Sequence, residues 1–461
     1  MSDFTAVILA AGEGTRMKSE TPKVLHRVCG VPMLGHVVRA AKSAGAGRII
    51  VVIGSGAEMV KKAFEGQGLE FVLQVEQKGT GHALMQAEEA ARGSSLIVVL
   101  YGDMPLVRPE SIAAMVDFHR ERGACATVMT ASVSDPTGYG RIIKEGDRVL
   151  AIREEKDASP EEKAICEINS GFYCFDGEEV FKALSRVNNR NRQGEYYLTD
   201  VVEILNGDGK TVLAFKIRNP EELSGVNDRR QLAVVQAVMQ KRILNHWMSE
   251  GVTFINPDTS VVEADVKIGR DTVIYPGVCL EGRTEIGEGC ALIGPCRIRD
   301  SKIGNHVEIT MSQIQESVVE DGVKIGPFSN LRPGCVISSG VKIGDFVEMK
   351  NARVGEGSKV PHLSYVGDAV IGRGVNIGAG VIFVNYDGYK KHQTVVEDGA
   401  FVGCNSNLIA PVTIGAGSYV AAGSTITREV PGDSLAIARA RQENKPGWVE
   451  KRRKKIEGGN E

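Results

Sequence analysis

From Ile268 to Ile298 the chain reads IGRDTVIYPGVCLEGRTEIGEGCALIGPCRI, with an aliphatic residue at every sixth position: Ile268, Ile274, Leu280, Ile286, Leu292 and Ile298. The spacing returns at Ile325, Leu331, Ile337, Ile343 and Met349, and again at Val396, Val402, Leu408, Ile414, Val420 and Ile426. A helix of about 3.6 residues per turn cannot produce a strict period of six. A chain that lays one short strand and one turn per hexad can, with the aliphatic residue pointing inward each time. Three hexads close a triangular coil of about 18 residues, and stacked coils pair through parallel ladders about 4.8 Å apart. Residues 252–430 therefore predict about ten coils in a prism on the order of 45 Å tall.

Working outward, the repeat accounts for the composition. Of the 54 glycines, 24 lie in residues 1–250 and 27 in the shorter stretch 251–432, so the excess is local to the solenoid. Glycine suits corners that need a positive φ or leave no room for a Cβ. The period breaks near residues 301–319 and again at 384–395, where FVNYDGYKKHQT (383–394) intervenes. An insertion in a solenoid maps to a loop on one face, often the binding face.

Residues 1–226 alternate buried-looking strands (6–9, 49–53, 96–100) with helical stretches (33–44, 80–92). That alternation predicts an α/β domain with a largely parallel sheet, whose ligands bind at the carboxyl ends of the strands. The first strand runs into a glycine-rich loop followed by Arg16 and Lys23. Such a loop lets backbone N–H groups approach phosphates while the basic side chains offset their charge. Between the halves, residues 228–248 carry Leu232, Val235, Met239 and Ile243 at helical spacing, a connecting helix about 30 Å long whose stripe serves packing.

The 461 residues hold 58 acids and 55 bases, a net charge of -3, which gives no bulk attraction to nucleic acid or anionic membrane. Apolar runs fall far short of the roughly 20 residues of a membrane span, and the N-terminus has its acid before and its bases after a short apolar stretch, the reverse of a secretory signal. The expectation is a cytoplasmic protein whose nine cysteines are reduced thiols. The basic run KRRKK (451–455), followed by EGGNE, reads as a solvated, disordered tail with no nucleic-acid role.

The string LAAGEGTRMKSETPK (9–23) resembles the signature of the sugar-1-phosphate nucleotidyltransferases, and the hexads resemble those of the hexapeptide-repeat acyltransferases, whose solenoids are left-handed prisms that assemble as trimers. The two in this order, joined by a helix, resemble across nearly the whole chain the bacterial bifunctional N-acetylglucosamine-1-phosphate uridyltransferase/glucosamine-1-phosphate N-acetyltransferases. The resemblance implies a Rossmann-like nucleotidyltransferase domain over 1–227, a connecting helix over 228–250, a left-handed parallel β-helix over 251–437 and a tail over 438–461. It implies acetyl transfer from acetyl-CoA to glucosamine 1-phosphate, then uridylyl transfer from UTP to N-acetylglucosamine 1-phosphate with release of pyrophosphate, in a homotrimer.

Residue by residue, the resemblance places UTP and the nucleotide sugar on Leu9, Ala10, Ala11, Gly12, Gly14 and Lys23, on Gln74, Gly79 and Thr80 of LQVEQKGTGHA, and on Tyr101, Gly102 and Asp103 of YGD. Gly138, Glu154, Asn169 and Tyr196 match positions around the sugar, and Arg16 and Lys23 those that offset transition-state charge. Asp103 and Asn227 match the oxygen ligands of Mg2+. His82, in the same string as Thr80, reads as structural.

In the solenoid, His362 of VPHLSYVGD matches the base of the acetyl transfer, a role that suits an imidazole near neutral pH. Arg332, Lys350 and Lys391 match anion-holding positions, and Tyr365, Asn376, Asn385 and Tyr386 those that bind the sugar or orient the reacting groups, with Asn385 and Tyr386 also reaching acetyl-CoA. Ala379, Cys404, Ala422 and Arg439 match the acetyl-CoA region, with Cys404 standing where the family pattern leads one to expect serine or threonine. Competing readings are a single-activity pyrophosphorylase with a solenoid that only assembles subunits, and a non-catalytic relative.

Overall fold

The computed structural model describes residues 4–458; the last residues of the EGGNE tail lie outside them. It divides into two compact units, the first ending at Ile243 and the second beginning at Leu244.

The first unit is built on Phe4–Ala10, seven residues buried on both faces. Successive side chains of a strand point to opposite sides, and here Phe4, Ala6 and Ile8 enter one apolar core while Val7 and Leu9 enter another. Helix Met33–Ser43 seals the first core and Thr80–Met85 the second. The nine-stranded sheet runs in the order Glu70–Leu73, Ala46–Ile53, Phe4–Ala10, Leu96–Tyr101, Glu167–Asp176, Ala126–Ser132, Val212–Lys216, Arg148–Arg153, Arg141–Glu145. The first four strands are parallel, with Val7 opposite both Ile50 and Val99.

Two details differ from the sequence reading. Glu167–Asp176 is antiparallel to both neighbours, so the far half of the sheet is mixed rather than parallel. Helix Thr80–Met85 is shorter than the expected 80–92, because the chain beyond it tightens into i→i−3 bonds such as Ala87 N to Leu84 O (2.9 Å) and Glu88 N to Met85 O (3.1 Å).

The long helix spans Arg229–Ser249. Val235 of its apolar stripe is 1% exposed, Gln236 Oε1 accepts from Cys29 N at 2.8 Å, and Arg242 donates to Leu106 O at 2.6 Å. No helix among the described residues is long and apolar enough to cross a membrane.

The second unit is a parallel β-helix. Eleven short strands, from Thr253–Phe254 to Leu435–Ala436, stack as one face. The remaining strands form one 17-stranded sheet, continuous because Glu348–Val354 and Tyr365–Ile371 run round a corner. Every hexad residue named above is buried, none more than 5% exposed.

The expected break at 301–319 is not an interruption. Ile298, Ile303, Ile309, Ile314, Val319 and Ile325 continue the buried column, but three of these steps are five residues long. Each shortened corner carries a residue in the left-handed region, Asp300 (φ 47°), Met311 (φ 39°) and Glu316 (φ 44°), which turns the chain with one residue fewer. The segment 385–393 is a true insertion, projecting between Ile382–Val384 and Thr394–Val396.

The expected disordered tail is corrected too, since Trp448–Glu457 is a helix with exposed side chains. Its residues are good helix formers, Glu450 pairs with Lys454 one turn on at 2.8 Å, and the Arg452 guanidinium lies over the Trp448 ring at 5.7 Å.

Candidate active sites

In the first unit the sheet delivers its loops to one edge. Gly102 N donates to Leu9 O and Val226 N to Asp103 O, at 2.9 and 3.0 Å, tying the ends of two central strands to the Gly225–Asn227 segment. On this frame Lys23 Nζ forms an ion pair with Asp103 Oδ2 and donates to Asn227 Oδ1 at 2.9 Å, and Arg16 donates to the same Asn227 oxygen at 2.9 Å. Residues more than 200 positions apart thus meet at one point. Gly14 is required beside it: its φ is 66°, and a Cβ there would lie 2.7 Å from Lys23 Cβ.

These groups open onto a cleft of about 270 Å³ lined by Leu9, Ala10, Ala11, Gly12, Lys23, Gln74, Gly79, Thr80, Tyr101 and Asp103, all singled out in the sequence. Gln77, Glu195, Val24 and Ala83 complete the lining and were not anticipated. Gln77 sits three residues from Gln74 in the quoted string, whereas nothing in the spacing pointed to Glu195.

Gln74, 3% exposed, donates to Gly79 O (3.2 Å) and meets His82 Nδ1 (3.0 Å). The other ring nitrogen of His82 faces Gln86 at 3.3 Å, so this histidine braces the wall. Tyr196 acts through its backbone, accepting from Gly81 N and donating to Lys78 O, both at 2.8 Å. Gly79 has φ 108°, and a Cβ on it would stand 2.6 Å from Tyr196 O.

Glu154 and Asn169 flank Gly140, whose added Cβ would lie 3.6 and 3.5 Å from their side chains. Burial pushes the Glu154 carboxyl above the usual carboxylate range, opposed by a bond from the Thr199 hydroxyl, and burial likewise raises the Tyr101 hydroxyl, whose partner is Thr80. Asn169 donates to Tyr173 Oη at 2.7 Å and accepts from Gly171 N at 3.0 Å. Gly138 is exposed, its N–H bound to Glu155 at 3.2 Å.

In the solenoid, coil-to-coil register does the assembling. Lys350 lies opposite Gly367 in the ladder and Glu348 opposite Tyr365. The Tyr365 hydroxyl and the Asn385 amide converge over Gly367, each within 2.6 Å of where its Cβ would be. Asn385 donates to Asp368 Oδ2 at 2.5 Å, and Asn351 to Oδ1 at 2.7 Å, which ties the inserted loop to the coils. Loop residue Lys391 brings its ammonium beside that of Lys350, and with Arg332 behind it holds Lys350 below the ordinary lysine range. Arg332 is braced by Glu348 at 2.8 Å. Three cations drawn together is a place for an anion.

The loop carries its own fastenings. Asp387 accepts from Tyr389 N and Lys390 N, both at 2.8 Å, and from His392 at 2.7 Å, which hold its carboxyl down at about 2. Tyr386 pairs with Lys391 in an antiparallel bridge and donates its hydroxyl to Gly388 O at 2.6 Å.

His362 ends strand Lys359–His362 at a corner. One coil on, Gly380 N donates to His362 O (3.3 Å); then Asn405 N donates to Ala379 O (2.7 Å) and Gly423 N to Cys404 O (2.8 Å). The Arg439 side chain passes 4.0 Å from where a Gly423 Cβ would be. His362, Ala379, Cys404, Ala422 and Arg439 are therefore one column up a single corner. Asn376 stands apart from the basic group in the fold, in the eleven-stranded face opposite Lys359. Asp345, paired with His362 in the ladder and bonded to its Nδ1, was not anticipated.

Comparison with known proteins agrees with this division. Residues 6–162 match the MobA-like NTP transferase domain family and residues 393–428 the bacterial transferase hexapeptide (six repeats) family. The bifunctional protein GlmU of Alkaliphilus metalliredigens is 52% identical over 96% of this chain and 97% of its own length. Those of Halalkalibacterium halodurans (52%) and Brevibacillus brevis (51%) each cover 98% of this chain, over 100% and 98% of their own lengths. The chain belongs to the GlmU family. It is a bifunctional transferase, with the uridyltransferase in the N-terminal unit and the acetyltransferase in the hexapeptide unit.

Proposed function

We propose that the two sites make UDP-N-acetylglucosamine in succession, with the residues above as their working parts. In the solenoid, Arg332, Lys350 and Lys391 hold the phosphate of glucosamine 1-phosphate, while Tyr365, Asn385 and Tyr386 hold the sugar and orient the amine, with Asn376, which stands on another face, supplied by a neighbouring copy of the chain in the trimer. Acetyl-CoA lies along the Ala379–Cys404–Ala422–Arg439 column with its thioester toward His362. The observation that carries this reading is that column: the candidate base and the candidate acetyl-CoA residues occupy one corner of the coils, and the inserted 385–393 segment contributes a lysine to the anion site.

The sugar nitrogen attacks the thioester carbonyl, the C–S bond breaks, and His362 takes the proton that the nitrogen loses. In the cleft, the phosphate of N-acetylglucosamine 1-phosphate is already an anionic nucleophile, so the protein's work is alignment and charge neutralisation. Gln74, Gly79 and Thr80 read the uracil, Gly138, Glu154 and Asn169 face the sugar, and Arg16 and Lys23 face the phosphates.

Asp103 and Asn227 would hold Mg2+. A carboxylate and an amide oxygen aimed at one cation, at present the Lys23 ammonium, form a donor set that suits a hard cation completed by phosphate oxygens. Bound there, Mg2+ neutralises charge on the phosphates. The chain works as a homotrimer in the cytoplasm. The direct test is to incubate the pure protein with glucosamine 1-phosphate, acetyl-CoA, UTP and Mg2+. UDP-N-acetylglucosamine is expected, and its absence with either half-reaction missing would refute the reading for that unit.

A further inference from the structure

We propose that Asp345 is the positioning residue for the acetyl-transfer base, a statement that rests on the reading of His362 as that base. The two residues face each other in the parallel ladder, at the ends of strands Lys342–Asp345 and Lys359–His362. Each is followed by a residue in the left-handed region, Phe346 (φ 55°) and Leu363 (φ 48°), so both corners turn alike and both side chains leave in the same direction. The Asp345 carboxylate meets His362 Nδ1 directly.

The bond fixes the tautomer. That hydrogen bond to His362 is the leading reason the Asp345 carboxyl is held below the usual range, so at neutral pH it is ionised and only accepts. The hydrogen between them is then on Nδ1. Nε2 is left bare, with its lone pair free to accept a proton. A neutral imidazole without such a partner favours the opposite tautomer, whose Nε2 already carries hydrogen and cannot act as base. During transfer the substrate nitrogen gives its proton to Nε2, the imidazolium is stabilised by the carboxylate at Nδ1, and the proton passes to the departing thiolate sulfur of CoA.

Both side chains are partly open to water, 35% exposed for Asp345 and 56% for His362. Water can therefore replace the carboxylate in part, and the loss on its removal is smaller than for a buried catalytic pair.

The test uses the full-length protein. His362→Ala comes first: if acetyl transfer survives it, the reading of the base fails, whatever Asp345 does. If it does not, Asp345→Ala is expected to lower kcat for acetyl transfer roughly tenfold to a hundredfold, with KM for acetyl-CoA and glucosamine 1-phosphate within about twofold. Unchanged KM values show that the solenoid is folded. The 15N shifts of His362 are expected to move from the Nδ1–H pattern toward Nε2–H. Asp345→Asn, whose amide oxygen can still accept from Nδ1, is expected to recover part of kcat. Full kcat in Asp345→Ala, or an Nδ1–H tautomer that persists without the carboxylate, would overturn the proposal.

Discussion

The two sites are built in opposite ways. The cleft of the first unit is walled by the ends of central strands, and its key cation, Lys23, is only 14% exposed at the side chain. The solenoid site lies on the outside of a prism whose interior is filled, so its residues stay open, with the His362 side chain 56% exposed. A doubly covered sheet makes an enclosure by ending its strands together. A solenoid makes a site by stacking, and must add a loop to gain a wall. On the proposed reading the 385–393 segment supplies that wall, and its internal bonds stand in for the packing that a core would give.

The sharpest way to break the comparison is to disable one site and watch the other. His362→Ala is expected to reduce CoA release by a factor of about 10² to 10⁴ while UTP-dependent pyrophosphate release persists. Loss of both activities would mean that the sites are not separately built. Lys23→Ala should do the reverse, lowering uridylyl transfer about 10² to 10³ fold. It also leaves Asp103, 20% exposed, without its cation. A modest fall in the melting temperature of the first unit should accompany it, with acetyl transfer unchanged.

How far these sites were legible in the sequence follows the same divide. The inward residues of the solenoid could be read because a six-residue period has no competing explanation, and the signature at 9–23 could be read as a string. The shortened coils were misread as a break because a five-residue step hides the period, although Ile303, Ile314 and Val319 still point inward. Asp345 was missed for the same reason. It lies one coil before His362, and coil length is known only once the shortened corners are counted. The tail helix was missed because charge composition alone says nothing of the local i,i+4 pairs that hold it. Glu195 came from a separate segment placed by tertiary packing, which no local pattern encodes.

Acid should separate the units by stability as well as by activity. The buried ionisable side chains His119, Arg141, Glu167 and Glu222 all lie in the first unit, whereas buried polar side chains of the solenoid are Ser, Thr and Asn beside its thiols. Burial pushes His119 down to about 4, and its Nδ1 meets the Thr127 hydroxyl at 3.0 Å. The unfolded chain binds a proton at this histidine that the folded chain refuses, so stability is lost as pH falls from about 6.5 toward about 4, by up to about 3 kcal/mol. Asp200, pushed up to about 6 by burial, works with the opposite sign over the lower part of that window. Comparing denaturant midpoints of the parent and His119→Asn at pH 7 and pH 5 isolates the histidine. The variant should lose less stability on acidification, and equal losses would remove His119 from the account.

The smallest effect is expected at Cys404, where the proposed acetyl-CoA column carries a thiol in place of a hydroxyl. It is an exposed cysteine at a corner whose backbone already bonds both neighbouring coils, Asn405 N to Ala379 O and Gly423 N to Cys404 O, so the side chain is not needed to hold the column. A thiol is a weak donor, and on the proposed mechanism the reaction's proton has an acceptor in His362. Cys404→Ser is therefore expected to change kcat for acetyl transfer by no more than about threefold, well inside the value of one ordinary hydrogen bond. A gain of tenfold or more would show that a hydroxyl at this corner stabilises the reacting thioester, and that the open site relies on a donor here as the cleft relies on Lys23.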